Sequence, residues 1–248
     1  METVGVIPAR YQSTRLSGKV LLEIAGKPLL QHVYERAKRA KKLDALWIAT
    51  DDHRVRQAAS SFGAEVVMTS PTHLSGTDRV AEAVRKVPVE IVVNIQADEP
   101  LVAPAMVDLL VETLKKEKKE IGMATLYRPL RRLVDKEDLL SPNVVKVVMD
   151  QKGYAIYFSR ATIPFHRKNP QTGAPLYFKH LGFYAYRKEF LLRLTEMDPS
   201  PLEQAEGLEQ LRVLENGEKI RMVESPFNTV GVDTHEDLEK VRKIIEKR

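Results

Sequence analysis

The stretch TVGVIPARYQSTRLSGK, residues 3–19, decides how this chain is read. Residues 3–9 are a short apolar run of the kind that makes a buried strand. Residues 10–19 then carry three cations, no acid, and only Tyr11 and Leu16 as large apolar side chains, which reads as a loop leaving that strand. In open α/β sheets, ligands bind in the crevice beyond the carboxyl ends of the strands, so a cationic loop there points to an anion. A triphosphate fits. Arg10 and Arg15 can fork onto phosphate oxygens, Lys19 can act as a point charge, and Ser13, Thr14 and Gly18 supply hydroxyl and backbone N–H groups. The spacing matches neither G-x-x-x-x-G-K-[ST] nor G-x-G-x-x-G, so the loop is not one of the common glycine-rich phosphate cradles. A solvated basic loop is the plainer alternative.

Outward from this loop, strands and helices alternate. Leu29, Leu30, Val33, Tyr34 and Ala37 form one face of a helix opened by Lys27-Pro28. Ala45–Thr50 is a second strand; Asp51-Asp52 caps a helix that runs to Phe62 and stops at Gly63, and Glu65–Met68 is a third strand. A helix over 78–87 leads into the continuous apolar run 90–96 (EIVVNIQ), followed by a helix over 103–115. This rhythm predicts right-handed βαβ crossovers and a Rossmann-like α/β fold, a mostly parallel sheet covered on both faces. After about residue 120 the rhythm changes: 143–150 and 153–160, joined by Gln151-Lys152, predict an antiparallel hairpin, and 178–187 a long strand. We therefore expect a single domain over 1–248 with a β-rich insertion over about 121–200, a segment available for substrate or dimer contacts if the chain has them. Helical periodicity returns over 201–215, and Thr234 with Asp237 forms a capping box before a last helix over 234–247.

Composition narrows the chemistry. The 248 residues include no cysteine, which excludes a disulfide framework, a zinc–thiolate site and a thiol nucleophile. Catalysis must use carboxylates, His, Ser, Lys, Arg or a bound hard metal. No stretch approaches the roughly 18 apolar residues of a membrane span, and the N-terminus lacks a secretory pattern, so the expected address is the cytosol with no membrane insertion. A net charge of +5 raises nucleic acid as a partner, but residues 1–42 carry 9 basic and 3 acidic side chains while the remainder is nearly balanced. A nucleic-acid-binding module also lacks interleaved aromatics here, and it ranks behind a nucleotide-using enzyme.

Three further clusters carry chemistry. In Gln96-Ala97-Asp98-Glu99-Pro100, Asp98 leaves the most apolar strand of the chain, a position suited to hold Mg²⁺, which takes only one or two protein carboxylates. Asp233, in Gly231-Val232-Asp233-Thr234, either supports the helix start or completes that metal site. Arg160, Lys179-His180, Tyr184 and Glu209-Gln210 are polar residues on otherwise apolar segments and together suit a polyhydroxylated acid.

The blocks IPARYQSTRLSGKVL, SGTDRVAEA, VNIQADEP, VVKVVMD, YFSRATIPF, KHLGFYAYR, LEQLRVLENGEKI and GVDTHEDLEKVR run in this order from residue 4 to about 242. As an ordered set they resemble the 3-deoxy-manno-octulosonate cytidylyltransferases, the CMP-KDO synthetase family. The resemblance implies a nucleotidyltransferase-type fold and transfer of CMP from CTP to the anomeric hydroxyl of KDO, giving CMP-KDO and pyrophosphate for lipopolysaccharide biosynthesis. It implies Mg²⁺ as cofactor, a cytoplasmic homodimer, and CTP and KDO as small-molecule partners. Lys19, Asp98 and Asp233 would be catalytic, the two aspartates as metal ligands. Ala9, Arg10, Ser13, Arg15, Lys19, Ser75 and Gly76 would bind the nucleotide. Gln96, Arg160, His180, Tyr184, Glu209 and Gln210 would read the sugar. The alternative within the same chemistry is another sugar-nucleotide pyrophosphorylase, such as a sialic-acid cytidylyltransferase. Three positions depart from the family pattern: Ser17 and His235 stand where proline is usual, and Ala97 where glycine is. Loss of a loop proline predicts a more mobile phosphate loop. If the glycine has positive φ, Ala97 would be strained and Asp98 displaced.

Overall fold

The computed structural model describes residues 1–12, 16–131, 135–167 and 177–247. Its first half follows the βα rhythm: β1 (Thr3–Pro8), the short pair β2 (Glu23–Ile24) and β3 (Lys27–Pro28), α1 (Leu29–Ala37), β4 (Ala45–Thr50), α2 (His53–Ser61), β5 (Glu65–Met68), α3 (Gly76–Val84), β6 (Ile91–Asn94) and α4 (Pro104–Lys116). The second half comprises β7 (Met123–Leu130), α5 (Lys136–Leu140), β8 (Lys146–Met149), β9 (Ala155–Ser159), β10 (Tyr177–Arg187), α6 (Lys188–Leu194), α7 (Pro201–Glu206), α8 (Gln210–Glu215), β11 (Ile220–Glu224) and α9 (His235–Glu246).

The main sheet runs β11-β7-β10-β6-β1-β4-β5. β1 pairs in parallel with β4 and β6, β4 with β5, and β7 with β11; β10 alone runs antiparallel to both of its neighbours, β6 and β7. The alternating strand Thr3–Pro8 sends Val4 and Val6 into one buried cluster with α3, α6 and α8, and Ile7 into another with α1 and α4. Both faces are therefore covered, as the continuous apolar strands require. Chain order reverses at β1, with β4 on one side and β6 on the other. That reversal opens a crevice at the carboxyl ends of β1 and β6.

The expected hairpin forms, with β8 antiparallel to β9, and β8 also pairs with β10. β7 and β10 both lie within the main sheet. Helix 201–215 is a correction: it breaks into α7 and α8 at Gly207, whose φ of +62° is left-handed. The backbone there turns a corner that places Glu209-Gln210 at the start of the second piece.

Candidate active site

A cleft of about 260 Å³ opens at the β1/β6 reversal. The exit from β1 contributes Pro8, Arg10, Lys19 and Val20; the segment entering α3 contributes His73, Ser75, Gly76 and Arg79; the turn after β6 contributes Gln96, Ala97 and Asp98; and Asp233 arrives from the loop before α9. Ala9 lies between two of these residues, fully buried, with its N–H donated to the Ala49 carbonyl at 2.8 Å.

Local backbone chemistry aims each group. Gly18 has φ +69°, and a Cβ there would meet the Tyr11 ring at 3.0 Å, so glycine is required on both counts. Its N–H closes onto the Tyr11 carbonyl at 2.9 Å, turning the chain so that Lys19 starts a single 3₁₀ turn and points inward. After β6, the Glu99 N–H bonds the Gln96 carbonyl at 3.3 Å, and the Val232 N–H bonds the Asp98 carbonyl at 2.8 Å. The second bond draws the Asp233 loop against the Asp98 turn. Thr234 and Asp237 form the capping box of α9, so capping does not require the Asp233 carboxylate. Ala97 is buried and has no positive φ, so the strain expected of alanine at this position is absent.

Lys19 Nζ lies 2.6 Å from Asp98 Oδ2 and 2.9 Å from Asp233 Oδ1. Burial alone would lower the Lys19 pKa, but the two carboxylates outweigh it and the pKa is raised. One cation thus reaches both aspartates. That donor set fits Mg²⁺, a hard ion satisfied by one or two carboxylates with phosphate and water oxygens completing its shell. Among the described residues no cluster of three or more His, Cys, Asp or Glu side chains is placed to hold a metal. Behind Asp98, burial and then the Asp98 charge push the Glu99 carboxyl up to about 8.

The second group adjoins the cleft without lining it. Glu209, half-buried and with its pKa raised by desolvation, faces Thr77, Ser75 and Asp78 at the start of α3. Tyr184 Oη donates to Gln210 Oε1 at 3.4 Å. Between its pairings Leu181 with Leu126 and Tyr184 with Thr125, β10 is two residues longer than β7. An even-numbered bulge preserves the side-chain alternation, so His180, Tyr184 and Tyr186 share a face. Their rings follow one another at 5.5 and 5.9 Å. Arg160 is tied to carbonyls, with Nε on Glu206 at 2.7 Å and Nη1 on Pro142 at 3.0 Å.

His180 is buried, and Thr125 Oγ1 lies 2.9 Å from its Nε2 while donating its own proton to the Phe183 carbonyl at 2.7 Å. Having one proton to give, the hydroxyl must accept from Nε2, which assigns the neutral Nε2–H tautomer. Desolvation lowers the His180 pKa to about 3. The unfolded chain binds a proton below about 6.5 and the folded one only near 3, so the neutral histidine's contribution is present above pH 6.5 and declines as the pH falls through that window. Denaturant titrations should show the native protein losing up to about 1.4 kcal/mol per pH unit more than His180→Asn between pH 6 and 4. Parallel stability curves would refute the assignment.

The cleft gathers Arg10, Lys19, Ser75, Gly76, Gln96, Asp98 and Asp233 from the sequence-derived candidates, whereas Arg160, His180, Tyr184, Glu209 and Gln210 belong to the adjoining group. Ser13 and Arg15 lie outside the described residues. Sequence reasoning passed over Arg79. It is buried, pairs with Asp51 at 3.2 Å and donates to Thr69, tying α3 to the carboxyl ends of β4 and β5. The available signal was its place in SGTDR, one turn after Gly76 on the same helix.

Comparison with known proteins places the chain in a family. The model of the family described as Cytidylyltransferase matches residues 4–220. The chain is 49% identical to a 3-deoxy-manno-octulosonate cytidylyltransferase of Geobacter sulfurreducens, covering 97% of this chain and 98% of that one. It is 53% identical to one of Solibacter usitatus, covering 97% and 93%. Among solved structures, a CMP:2-keto-3-deoxy-manno-octonic acid synthetase complexed with CTP superposes with a TM-score of 0.92 at 43% identity, covering 100% of this chain and 99% of the other. A 4-diphosphocytidyl-2C-methyl-D-erythritol synthase of Anaerococcus prevotii, at 12% identity and a TM-score of 0.64, shares the fold.

Proposed function

The chain belongs to the 3-deoxy-manno-octulosonate cytidylyltransferases, and from that membership we propose how its cleft transfers CMP from CTP to KDO, releasing pyrophosphate, with Mg²⁺ as cofactor and a homodimer as the working unit. The observation that carries the site assignment is the convergence of Lys19, Asp98 and Asp233 from three distant segments onto one point of a cleft also lined by Arg10, Ser75 and Gly76.

The reaction joins the anomeric oxygen of KDO to the α-phosphorus of CTP, breaks the bond to the β-phosphate oxygen, and moves the hydroxyl proton to solvent or product. Such a transfer depends on placement and charge neutralisation more than on covalent help from the protein. Arg10 and Lys19 bring positive charge to the triphosphate, Arg10 as a fork and Lys19 as a point charge. The start of α3 presents backbone N–H groups around Ser75-Gly76 toward the nucleotide. Asp98 and Asp233 would hold Mg²⁺, which supplies charge neutralisation at the α-phosphate and lowers the pKa of a bound hydroxyl. Gln96 reaches the cleft from the Asp98 turn and would read the sugar from there. Arg160, His180, Tyr184, Glu209 and Gln210 form the sugar subsite, and Glu209 faces Ser75 and Thr77, which brings that subsite up to the nucleotide helix.

Pyrophosphate release across a panel of nucleoside triphosphates and sugars tests this reading. We expect release with CTP and KDO in the presence of Mg²⁺, and loss of it when the metal is chelated. Release with UTP and a hexose phosphate, but not with CTP and KDO, would replace this function by that of a different sugar-nucleotide pyrophosphorylase.

A further inference from the structure

We propose that Lys146, which lies outside the cleft lining, is a positioning residue for the acid-sugar subsite and acts through Arg160; the proposal rests on the subsite reading given above. Lys146 sits on β8 opposite Ser159 of β9 and Lys179 of β10, and its side chain is fully shielded from solvent. Its Nζ donates to three carbonyls, Ser141 at 2.8 Å, Val144 at 2.6 Å and Arg160 at 2.6 Å. These use all three ammonium protons.

Arg160 grips the same loop from the other side, donating Nη1 to Pro142 at 3.0 Å. Its remaining bonds run to the α7/α8 corner, from Nε to the Glu206 carbonyl at 2.7 Å and from Nη2 to the Gly207 carbonyl at 3.4 Å. Two residues beyond Gly207 stand Glu209 and then Gln210. A mechanical line therefore runs from Lys146 through the Arg160 backbone and guanidinium to the corner that presents the sugar-reading pair. On the opposite flank, the His180 N–H is held by the Val145 carbonyl at 2.9 Å, so β8 supports a second subsite segment directly beside Lys146.

Charge gives this arrangement a purpose. Filling the space alone is cheaper with an apolar side chain, because desolvating an ammonium costs more than carbonyl bonds return. Among the described residues, Lys146 and Arg160 hydrogen-bond through their cationic groups only to carbonyls. The nearby Glu206 carboxylate accepts from Ser159 Oγ at 2.6 Å and the Arg160 N–H at 2.9 Å. Lys179 and Asp138 offset each other as a pair at 2.9 Å. On the β8–β9 side of the subsite Lys146 and Arg160 thus outnumber the Glu206 carboxylate, a local positive surplus, while Glu209 stands on the α8 side. A ligand carrying a carboxylate is what such a surplus favours.

The test is steady-state kinetics of pyrophosphate release for Lys146→Met, Lys146→Gln and Arg160→Gln, with thermal unfolding of each variant. We expect KM for KDO to rise about tenfold or more in both Lys146 variants, with kcat and KM for CTP within about twofold. Lys146→Gln keeps hydrogen-bond donors without the charge and covers the case in which Lys146→Met does not fold. Unchanged KM for KDO in a folded Lys146 variant, or parallel loss of both substrates tracking a lower Tm, would overturn the proposal and leave Lys146 a structural staple. An Arg160→Gln enzyme with normal KM for KDO would instead overturn the subsite reading for Arg160, and with it the route through that residue.

Discussion

Asp98→Asn lowers kcat by roughly 10²–10³-fold while leaving the fold intact, the scale associated with removing one preorganised electrostatic contact to a transition state. The expectation follows from which atoms the substitution spares. The backbone bond from Val232 N–H to the Asp98 carbonyl is independent of the side chain, and Ala97 remains buried in the core. The turn therefore keeps its shape and loses only a negative charge. Asp233→Asn has the same consequence, because the α9 cap is made by Thr234 and Asp237. If both carboxylates hold one metal ion, the double variant is scarcely worse than either single one, since groups acting as a unit are not additive. Pyrophosphate release measured against Mg²⁺ concentration checks this. Near-normal turnover of either single variant at limiting Mg²⁺ would remove that residue from the metal site, and strictly multiplicative losses would separate the two roles.

Much of this architecture is legible in the residues themselves, for a physical reason. Thr3–Pro8 and Ile91–Asn94 are buried on both faces, and Ala45–Thr50 is buried on one and half-buried on the other, so their apolar runs are continuous and the polar residues after them mark the ligand side of the sheet. The box Thr234-Asp237 is local and reads directly, whereas the equally local Ser75-Asp78 box went unread, and the helix expected over 78–87 in fact spans Gly76–Val84. β7 escaped notice because Arg128 and Pro129 interrupt its run, and its place between β11 and β10 depends on partners distant in sequence. The break at Gly207 escaped because a glycine inside an otherwise helical period is usually tolerated, and only the observed positive φ identifies the corner. Arg79 and Lys146 share a deeper difficulty. A cation in a sequence reads as surface, and only the packed fold reveals that Thr69 and Asp51, or three backbone carbonyls, have replaced water around it.

Lys19 presents the sharpest case, because its one ammonium has two claims on it. The sequence points it at a triphosphate; in the structure it bridges Asp98 and Asp233. An ammonium and Mg²⁺ compete for the same carboxylate oxygens, so drawing Lys19 toward phosphate frees both aspartates. Lys19→Met therefore has two separable consequences. Catalytic use of CTP falls, with kcat/KM for CTP lowered by roughly 10²–10³-fold through loss of a cation at the triphosphate. Without CTP, the two carboxylates lose the ammonium between them. Their side chains are 28% and 39% exposed, so solvent screens the repulsion and the stability cost is no more than about 1 kcal/mol. The same change removes the competitor for the cation. Thermal unfolding of the CTP-free protein should show a larger rise in Tm on adding Mg²⁺ for Lys19→Met than for the unaltered chain, since a ligand that binds only the folded state stabilises it according to its affinity. An equal or smaller shift would mean that the lysine and the metal do not contend for these oxygens, and Lys19 would then keep only its phosphate role.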